Sequence, residues 1–335
     1  MDLSIIIVNW NTRDFLRDCL RSVYEQTKDI CFEVIVIDNA STDGSATMVK
    51  EGFPQAILLE NSGNHGFAAA NNQGMAIANG RYLLLLNSDT LILDNAIAKA
   101  VTFADSRPQA AAVGCRVLNS DGTLQPTCFM FPSVLNMLLS CTHLYKIFPK
   151  NRLFGREYMT WWDGNDVREV DVVAGCFMLV RREAAQQVGM LDNRYFVYGE
   201  ETDWSYRFKQ DGWKTLYTPE AEIIHYGGQT SRQMTRKFRW QLEGSKLIFM
   251  RLHRSKLSFL IVRFLIALFL FVRVPYWLIR ATFRKDERQK SFETAMTYLI
   301  GCFYCLADWK KLLMNRDAVT NRMTKETVRE ARSDY

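Results

Sequence analysis

Hydrophobic and polar positions along the chain alternate between two periods. Leu3-Ser-Ile-Ile-Ile-Val8 is an almost unbroken apolar, β-branched run, as in a strand covered on both faces. Between residues 13 and 24, Phe15, Leu16, Cys19, Leu20 and Val23 recur at helical spacing. Residues 32–37 predict a second strand, which runs into Asp38-Asn-Ala-Ser-Thr-Asp-Gly44. A short strand at 56–59, a helix at 67–78 and a strand at 82–86 repeat the pattern, and the last ends in Asn87-Ser-Asp-Thr90. Strands alternating with helices imply an α/β fold with a mostly parallel sheet. Ligands of such sheets bind beyond the carboxyl ends of the strands, where both polar clusters fall.

Residues 119–169, with Pro126, Pro132, Pro149 and the pair Trp161-Trp162, read as an excursion from the sheet. Residues 170–180 predict one further strand, with a helix from Arg182. Residues 202–210 predict a helix that Gly212 helps to end, and 214–217 and 222–225 predict two short strands.

Beyond residue 230 the pattern changes. Residues 256–272 are strongly apolar, yet the uninterrupted part is only 264–272, bounded by Arg263 and Arg273. A bilayer span needs about 20 apolar residues. On a helix, Lys256, Arg263, Arg273 and Arg280 fall within an arc of about 120°. This favours a helix lying in a membrane interface over one crossing it. Pro275 argues against a single straight helix, and the apolar patch at 295–306 is also too short to span. The competing reading is a helical subdomain packed on the body or joining two copies in a homodimer.

Charge sharpens this division. Residues 1–228 carry 20 Lys and Arg against 27 Asp and Glu, whereas residues 229–335 carry 22 against 9. An acidic body (1–230) with a basic, apolar, helical C-terminal region (231–335, including Arg232, Arg236 and Lys237) points to a phosphate-rich partner. Because the bases flank long aliphatic runs and no nucleic-acid-reading module is recognisable, a membrane surface is expected and nucleic acid is not. Across 335 residues, 48% hydrophobic and 23% charged residues suffice for a real core and exclude a disordered chain. No signal-peptide pattern opens the sequence. The eight scattered cysteines lack a paired metal spacing and are expected to be reduced thiols in a cytosolic setting.

Four constellations carry candidate chemistry. Asp38, with Ser41, Thr42 and Asp43, reads either as helix capping or as a carboxylate receiving a base N–H or ribose hydroxyl. Asn61-Ser-Gly-Asn-His-Gly-Phe67 is a glycine-bearing loop opening onto a helix, suited to phosphate but matching neither common nucleotide-binding fingerprint. Asn87-Ser-Asp89 delivers one carboxylate to a strand tip, as in a Mg²⁺ or Mn²⁺ site serving a diphosphate, or as ordinary turn chemistry. Glu200, Glu201 and Asp203 crowd three carboxylates into four residues, which can raise one pKa toward that of a general base, or simply complement a helix N-terminus. His225 gains meaning only in this company.

Together these residues resemble the inverting, nucleotide-sugar-dependent glycosyltransferases of the GT-A type, family 2. Within that family they are most similar to rhamnosyltransferase-like enzymes of bacterial surface-polysaccharide assembly (O-antigen of lipopolysaccharide, capsule or cell wall). The resemblance rests on seven segments in the family's order across about residues 3–230. Among them are Val36-Ile-Asp-Asn-Ala-Ser-Thr-Asp-Gly44, Leu86-Asn-Ser-Asp-Thr90 and Phe196-Val-Tyr-Gly-Glu-Glu-Thr-Asp203.

The resemblance implies a Rossmann-like, mixed and mostly parallel sheet flanked by helices. It implies a dTDP- or UDP-sugar donor contacted by Asp38, with Asn9 and Asn39 nearby, and a nucleotide pocket lined by Asn64 and Gly66. Asn87-Ser88-Asp89 would take the place of the metal-binding motif, with Asp89 the Mg²⁺ or Mn²⁺ carboxylate and His225 assisting. Glu201 would be the base, with Glu200 and Asp203 as rivals. The expected reaction moves rhamnose or another hexose to a lipid-linked glycan at the cytoplasmic face of the inner membrane. A non-catalytic membrane scaffold and a sugar-phosphate nucleotidyltransferase are the alternatives.

Overall fold

The computed structural model describes residues 1–228 and 238–313. They divide into an α/β unit, residues 1–131 with 158–228, and a helical unit, residues 132–157 with 238–313. The basic residues Arg232, Arg236 and Lys237 lie outside the described residues.

The α/β unit runs β1 (Leu3–Asn9), α1 (Arg13–Gln26), β2 (Phe32–Asp38), α2 (Ser45–Gly52), β3 (Ile57–Glu60), α3 (Phe67–Ile77), β4 (Tyr82–Asn87), β5 (Thr90–Ile92), α4 (Ala96–Asp105), β6 (Ala110–Leu118) and β7 (Cys128–Phe129). After α5 (Val134–Cys141) and α6 (Leu144–Ile147) of the helical unit it resumes. There follow β8 (Arg168–Val170), β9 (Val172–Val173), β10 (Phe177–Arg181), α7 (Arg182–Val188), α8 (Glu200–Gln210) and β11 (Lys214–His225).

The main sheet has the order β3-β2-β1-β4-β10-β6-β11-β5, with β8 also paired to β11. Strands β3, β2, β1 and β4 are mutually parallel, β10 runs against both β4 and β6, and β6 is parallel to β11. The sheet is therefore mixed and mostly parallel. Asn9, Asp38, Asn87 and His225 all stand at the carboxyl ends of like-directed strands, on one edge.

The two-sided burial expected of β1 is observed. Leu3, Ile5 and Ile7 join the core with Leu16, Leu20 and Val23 of α1, whereas Ile6 packs in a second core with Ala68, Ala70 and Met75 of α3. In β4, Tyr82, Leu84 and Leu86 face the first core and Leu83 and Leu85 the second. Alternate side chains leave a strand on opposite faces, so a continuous apolar run is what a doubly covered strand needs. Each such Leu or Ile, fully buried, stabilises the fold by about 1.5–3 kcal/mol.

Two of the predicted strands are corrected. The strand predicted over 170–180 is three pieces, because Asp171 interrupts the run and residues 174–176 turn the chain before β10. The two short strands predicted at 214–217 and 222–225 are one, β11, with a register shift between Thr218 and Glu222. Pro219, which has no N–H to give a ladder, is absorbed in that irregularity. Strand β11 thereby reaches far enough to carry His225 to the site edge.

In the helical unit, α9 (Phe238–His253), α10 (Lys256–Phe271), α11 (Arg273–Phe283) and α12 (Arg288–Ala307) join α5 and α6. Residues 132–157, read from sequence as part of the body, cluster here. The stretch Lys256–Phe283 is long and apolar enough to cross a membrane by length and composition alone. Its helix is interrupted at Val272, and Pro275 sits in the first turn of α11, where a missing N–H costs no intrahelical bond. All eight cysteines are free thiols.

Candidate active site

The carboxyl edge is built from polar side chains that fasten one another. Asp38 Oδ1 accepts from Asn9 Nδ2 (2.9 Å) and Oδ2 from the Ser41 backbone N–H (2.8 Å). Asn9 Nδ2 also donates to Ser41 Oγ (3.0 Å), and Thr12 donates to Asn9 Oδ1 (2.6 Å). Thr12 Oγ1 lies 2.9 Å from Ser88 Oγ, tying the first strand's loop to the third cluster. Asn9, Asp38, Asn39 and Ser88 are all buried. A carboxylate offers about four acceptor directions. Two are taken at Asp38, which leaves it oriented and still able to accept from a ligand. Of the two readings of this segment, capping holds for Asp43, whose carboxylate accepts from the backbone N–H of Ser45 (3.0 Å) at the start of α2 and of Arg13 (2.8 Å) at the start of α1. Gly44 is the N-cap of α2 and Ser41 and Thr42 do not cap it, while Asp38 is left for a ligand.

Asn39 Nδ2 donates to the Gly66 carbonyl (3.3 Å), and Asn64 Oδ1 accepts from the Gly66 N–H (2.9 Å). Gly66 has φ +83°, and a Cβ there would stand 2.4 Å from the Phe196 carbonyl oxygen. That same oxygen accepts from the Phe67 N–H at 2.6 Å. The loop over residues 61–67 is thus docked directly on the segment that leads into α8.

That segment turns sharply. Tyr198 (φ 67°) and Gly199 (φ 92°) are consecutive left-handed residues, and α8 starts at Glu200. Asn11 (φ 53°) and Ala40 (φ 61°) adopt the same uncommon conformation beside Asn9 and Asp38. Glu200 is buried, its Oε2 has no hydrogen-bond partner, and its pKa is held well above the ordinary 4.5 by burial and by the charge of Glu201. Glu201 is also raised by burial, but its carboxylate accepts from the Gly199 N–H at 3.1 Å, which opposes the rise. Glu201 is therefore the better placed to be the charged member of the pair. Asp203 is committed elsewhere: it is buried in an ion pair with Arg207 (2.8 Å), whose guanidinium also donates to the carbonyls of Val188 and Met190. The structure thus separates Asp203 from the two glutamates by its engagement, although all three lie in one helical turn.

At the third cluster, Asp89 is buried and its Oδ1 lies 3.2 Å from His225 Nε2. Asn87 Nδ2 is likewise 3.2 Å from His225 Nε2, and the Asp89 carbonyl accepts from the Tyr226 N–H. Burial opposes charge on the imidazole, but the Cys176 sulfur and the Asp89 carboxylate outweigh it and raise the ring to about 10. Among the described residues no cluster of three or more His, Cys, Asp or Glu is arranged to hold a metal ion. Asp89 and His225 form a pair. Asp89 supplies the carboxylate that Mg²⁺ or Mn²⁺ commonly takes, one or two to a site, with substrate phosphates and water completing the shell, and His225 stands beside it.

Sequence reasoning passed over Thr12 and Gln125. Gln125 Oε1 is 2.6 Å from His225 Nδ1, a contact across 100 residues that no spacing rule reveals.

A mixed sheet with a glycine-bearing loop, a strand-tip carboxylate and a glutamate pair at one edge has the organisation expected of the GT-A fold. The model of the family described as glycosyl transferase family 2 matches residues 4–189, and the chain belongs to that family. It is 27% identical over 204 residues to the N-acetylglucosaminyl-diphospho-decaprenol L-rhamnosyltransferase of Mycobacterium tuberculosis, covering 58% of this chain and 66% of that protein, just under two thirds of its length. It is 28% identical over 232 residues to the O-antigen biosynthesis protein RfbC of Myxococcus xanthus, covering 69% of this chain and 18% of that one. Among solved structures, a mannosyltransferase from Pyrobaculum calidifontis in complex with GDP-Man and Mn²⁺ matches with a TM-score of 0.54 at 17% identity, over 91% of this chain and 87% of that one. That likeness is one of fold: the GT-A fold. The chain is thus a member of glycosyl transferase family 2, similar to a rhamnosyltransferase and to a protein of O-antigen biosynthesis.

Proposed function

We propose that this glycosyltransferase moves rhamnose or another hexose from a dTDP- or UDP-sugar to a lipid-linked glycan, with inversion, at the cytoplasmic face of the inner membrane. The observation that carries the reading is the meeting, on one sheet edge, of an oriented carboxylate (Asp38), a strand-tip Asp89–His225 pair and a glutamate pair with one member poised for charge.

Asp38 receives the base or ribose, supported by Asn9 and Asn39, while Asn64 and Gly66 line the nucleotide pocket. Asp89 and His225 would hold a Mg²⁺ or Mn²⁺ ion, which supplies charge neutralisation at the leaving diphosphate. Glu201 takes the proton of the acceptor hydroxyl as that oxygen bonds to the anomeric carbon from the face opposite the diphosphate. The anomeric C–O bond to the diphosphate breaks, so the configuration inverts. An ordinary carboxylate is a weak base, and the upward shift at Glu201 moves it toward the working range. Two names support the acceptor: that of the mycobacterial relative, which specifies a decaprenol-linked one, and that of the second relative, which places it in O-antigen biosynthesis. The basic, apolar helical unit supports a membrane surface as partner.

The test is release of nucleoside diphosphate from a panel of nucleotide sugars, with Mg²⁺, Mn²⁺ or EDTA, by the purified full chain. Metal-dependent release from one donor, lost in Asp89→Ala and in Glu201→Gln, is expected. Release that survives both substitutions overturns the site assignment. Absence of both donor binding and release overturns the transfer reading in favour of a scaffold.

A further inference from the structure

Within the helical unit, α10 and α12 flank an open cleft of about 800 Å³ lined by Phe264, Leu268, Phe271, Ile300, Phe303 and Leu306, among others. Its size is that of a small-molecule site, about 300–1,000 Å³. Its lining differs from that of most such sites in being almost wholly hydrocarbon. The rim is left in solvent: Phe264 is 60% exposed and Phe303 64%. Apolar surface of this extent on a folded chain marks a contact with another apolar body.

One end of the cleft is cationic. Arg263 donates from Nε to the Cys305 carbonyl (2.6 Å) and from Nη2 to the carbonyl of Leu306, a lining residue. The Lys311 ammonium lies over the ring of Tyr304, another lining residue, at 5.6 Å. Residues 256–283 contain four bases and no acid, and between 294 and 313 Asp308 is the single acid beside Lys310 and Lys311. Of these bases Arg280 is paired with Glu287, whereas Arg263 and Lys311 stand beside the cleft lining, and a second copy docking there would have to cover them. A hydrocarbon tail with an anionic head satisfies both parts at once.

We propose that this cleft binds one anionic membrane lipid, its hydrocarbon tail between α10 and α12 and its headgroup phosphate at Arg263 and Lys311. The proposal deepens the reading of the helical unit as membrane-facing and rests on that reading, but is independent of the donor chemistry. It differs from general attraction of a basic surface to a bilayer, because it requires a saturable site for a single amphiphile.

The full chain would be titrated with dodecyl phosphate below its micelle concentration, and separately floated with phosphatidylcholine vesicles with and without phosphatidylglycerol. Phe303→Gln/Leu306→Gln and Lys311→Glu change exposed side chains and should fold normally, which circular dichroism and melting would establish. Arg284→Glu, exposed and not among the cleft residues, is the control for charge alone. The expected result is saturable binding of one dodecyl phosphate, weakened about fivefold or more by either cleft variant. Arg284→Glu should lower only vesicle binding. Nucleotide-sugar hydrolysis in these variants should match the parent, which keeps failure here distinct from failure of the transfer reading. Non-saturable uptake, or equal binding by the cleft variants, overturns the proposal. A dimer that becomes monomeric in Phe303→Gln/Leu306→Gln, with lipid binding unchanged, would assign the cleft to a second copy and overturn it as well.

Discussion

Gln125 Oε1 faces His225 Nδ1 at 2.6 Å while Gln125 Nε2 donates to Asn119 Oδ1 (2.8 Å) and to the His225 carbonyl (3.2 Å). The amide is held with its oxygen toward the ring, so Nδ1–H donates to it both when the ring is charged beside Asp89, as its raised pKa favours, and when the ring gives up its Nε2 proton to a metal ion. A histidine that ligates a metal through one nitrogen usually donates from the other to an oxygen, which fixes ring and tautomer.

Replacement of Gln125 by Leu should therefore weaken Mn²⁺ binding about 10- to 100-fold. Calorimetric titration with Mn²⁺ and nucleoside diphosphate reads this without turnover. Gln125→Glu, which keeps an oxygen acceptor at the same distance, should retain most of the affinity.

The glutamate pair predicts a pH dependence. Both carboxyls are raised, Glu201 by burial and Glu200 by burial and the charge of Glu201. The acid limb of kcat/KM should fall above the ordinary glutamate value of 4.5. For Glu200 the sign in stability follows. A carboxyl whose folded pKa exceeds its unfolded one loses folding free energy as pH rises from the unfolded value through the folded value. Glu200→Gln removes that loss, so its melting temperature should exceed the parent's in mildly alkaline buffer and the difference should vanish below about pH 4. Thermal melts across pH check this.

Gly66 predicts a coupling between the loop over residues 61–67 and the glutamate pair. Alanine at φ +83° with a Cβ 2.4 Å from the Phe196 carbonyl must push Phe196 away and break its bond to the Phe67 N–H. Gly66→Ala should cost about 1–3 kcal/mol in stability. It should also lower kcat as well as raise KM for the donor, because the displaced segment carries Glu200 and Glu201. Chemical denaturation and steady-state kinetics separate the two effects. An unchanged kcat would show that the loops are not coupled.

The local pattern determined a great deal. The doubly covered strands β1, β2 and β4, the helices between them and the polar strand tips at Asp38 and Asn87 follow from side-chain periodicity and from where polar residues interrupt it, which are local properties. Glycosyltransferase membership was likewise legible in the ordered motifs. The stretch from Thr90 to Leu118, which became β5, α4 and β6, gave no assignment, because its alanine-rich segments fit strand and helix alike and only the vacant place beside β10 and β11 decides between them.

Tertiary structure alone decided the rest. Only the ladder joining β11 to β6 shows that a proline-bearing stretch is one strand and that His225 reaches Asp89, 136 positions away in the chain. Only packing shows that Asp203 serves Arg207 while Glu200 is buried without a partner for Oε2. Sequence fixes which groups a chain owns and their local spacing. Burial and long-range hydrogen bonding, which set a carboxylate's charge and a histidine's tautomer, exist only once the sheet has brought distant segments to one edge.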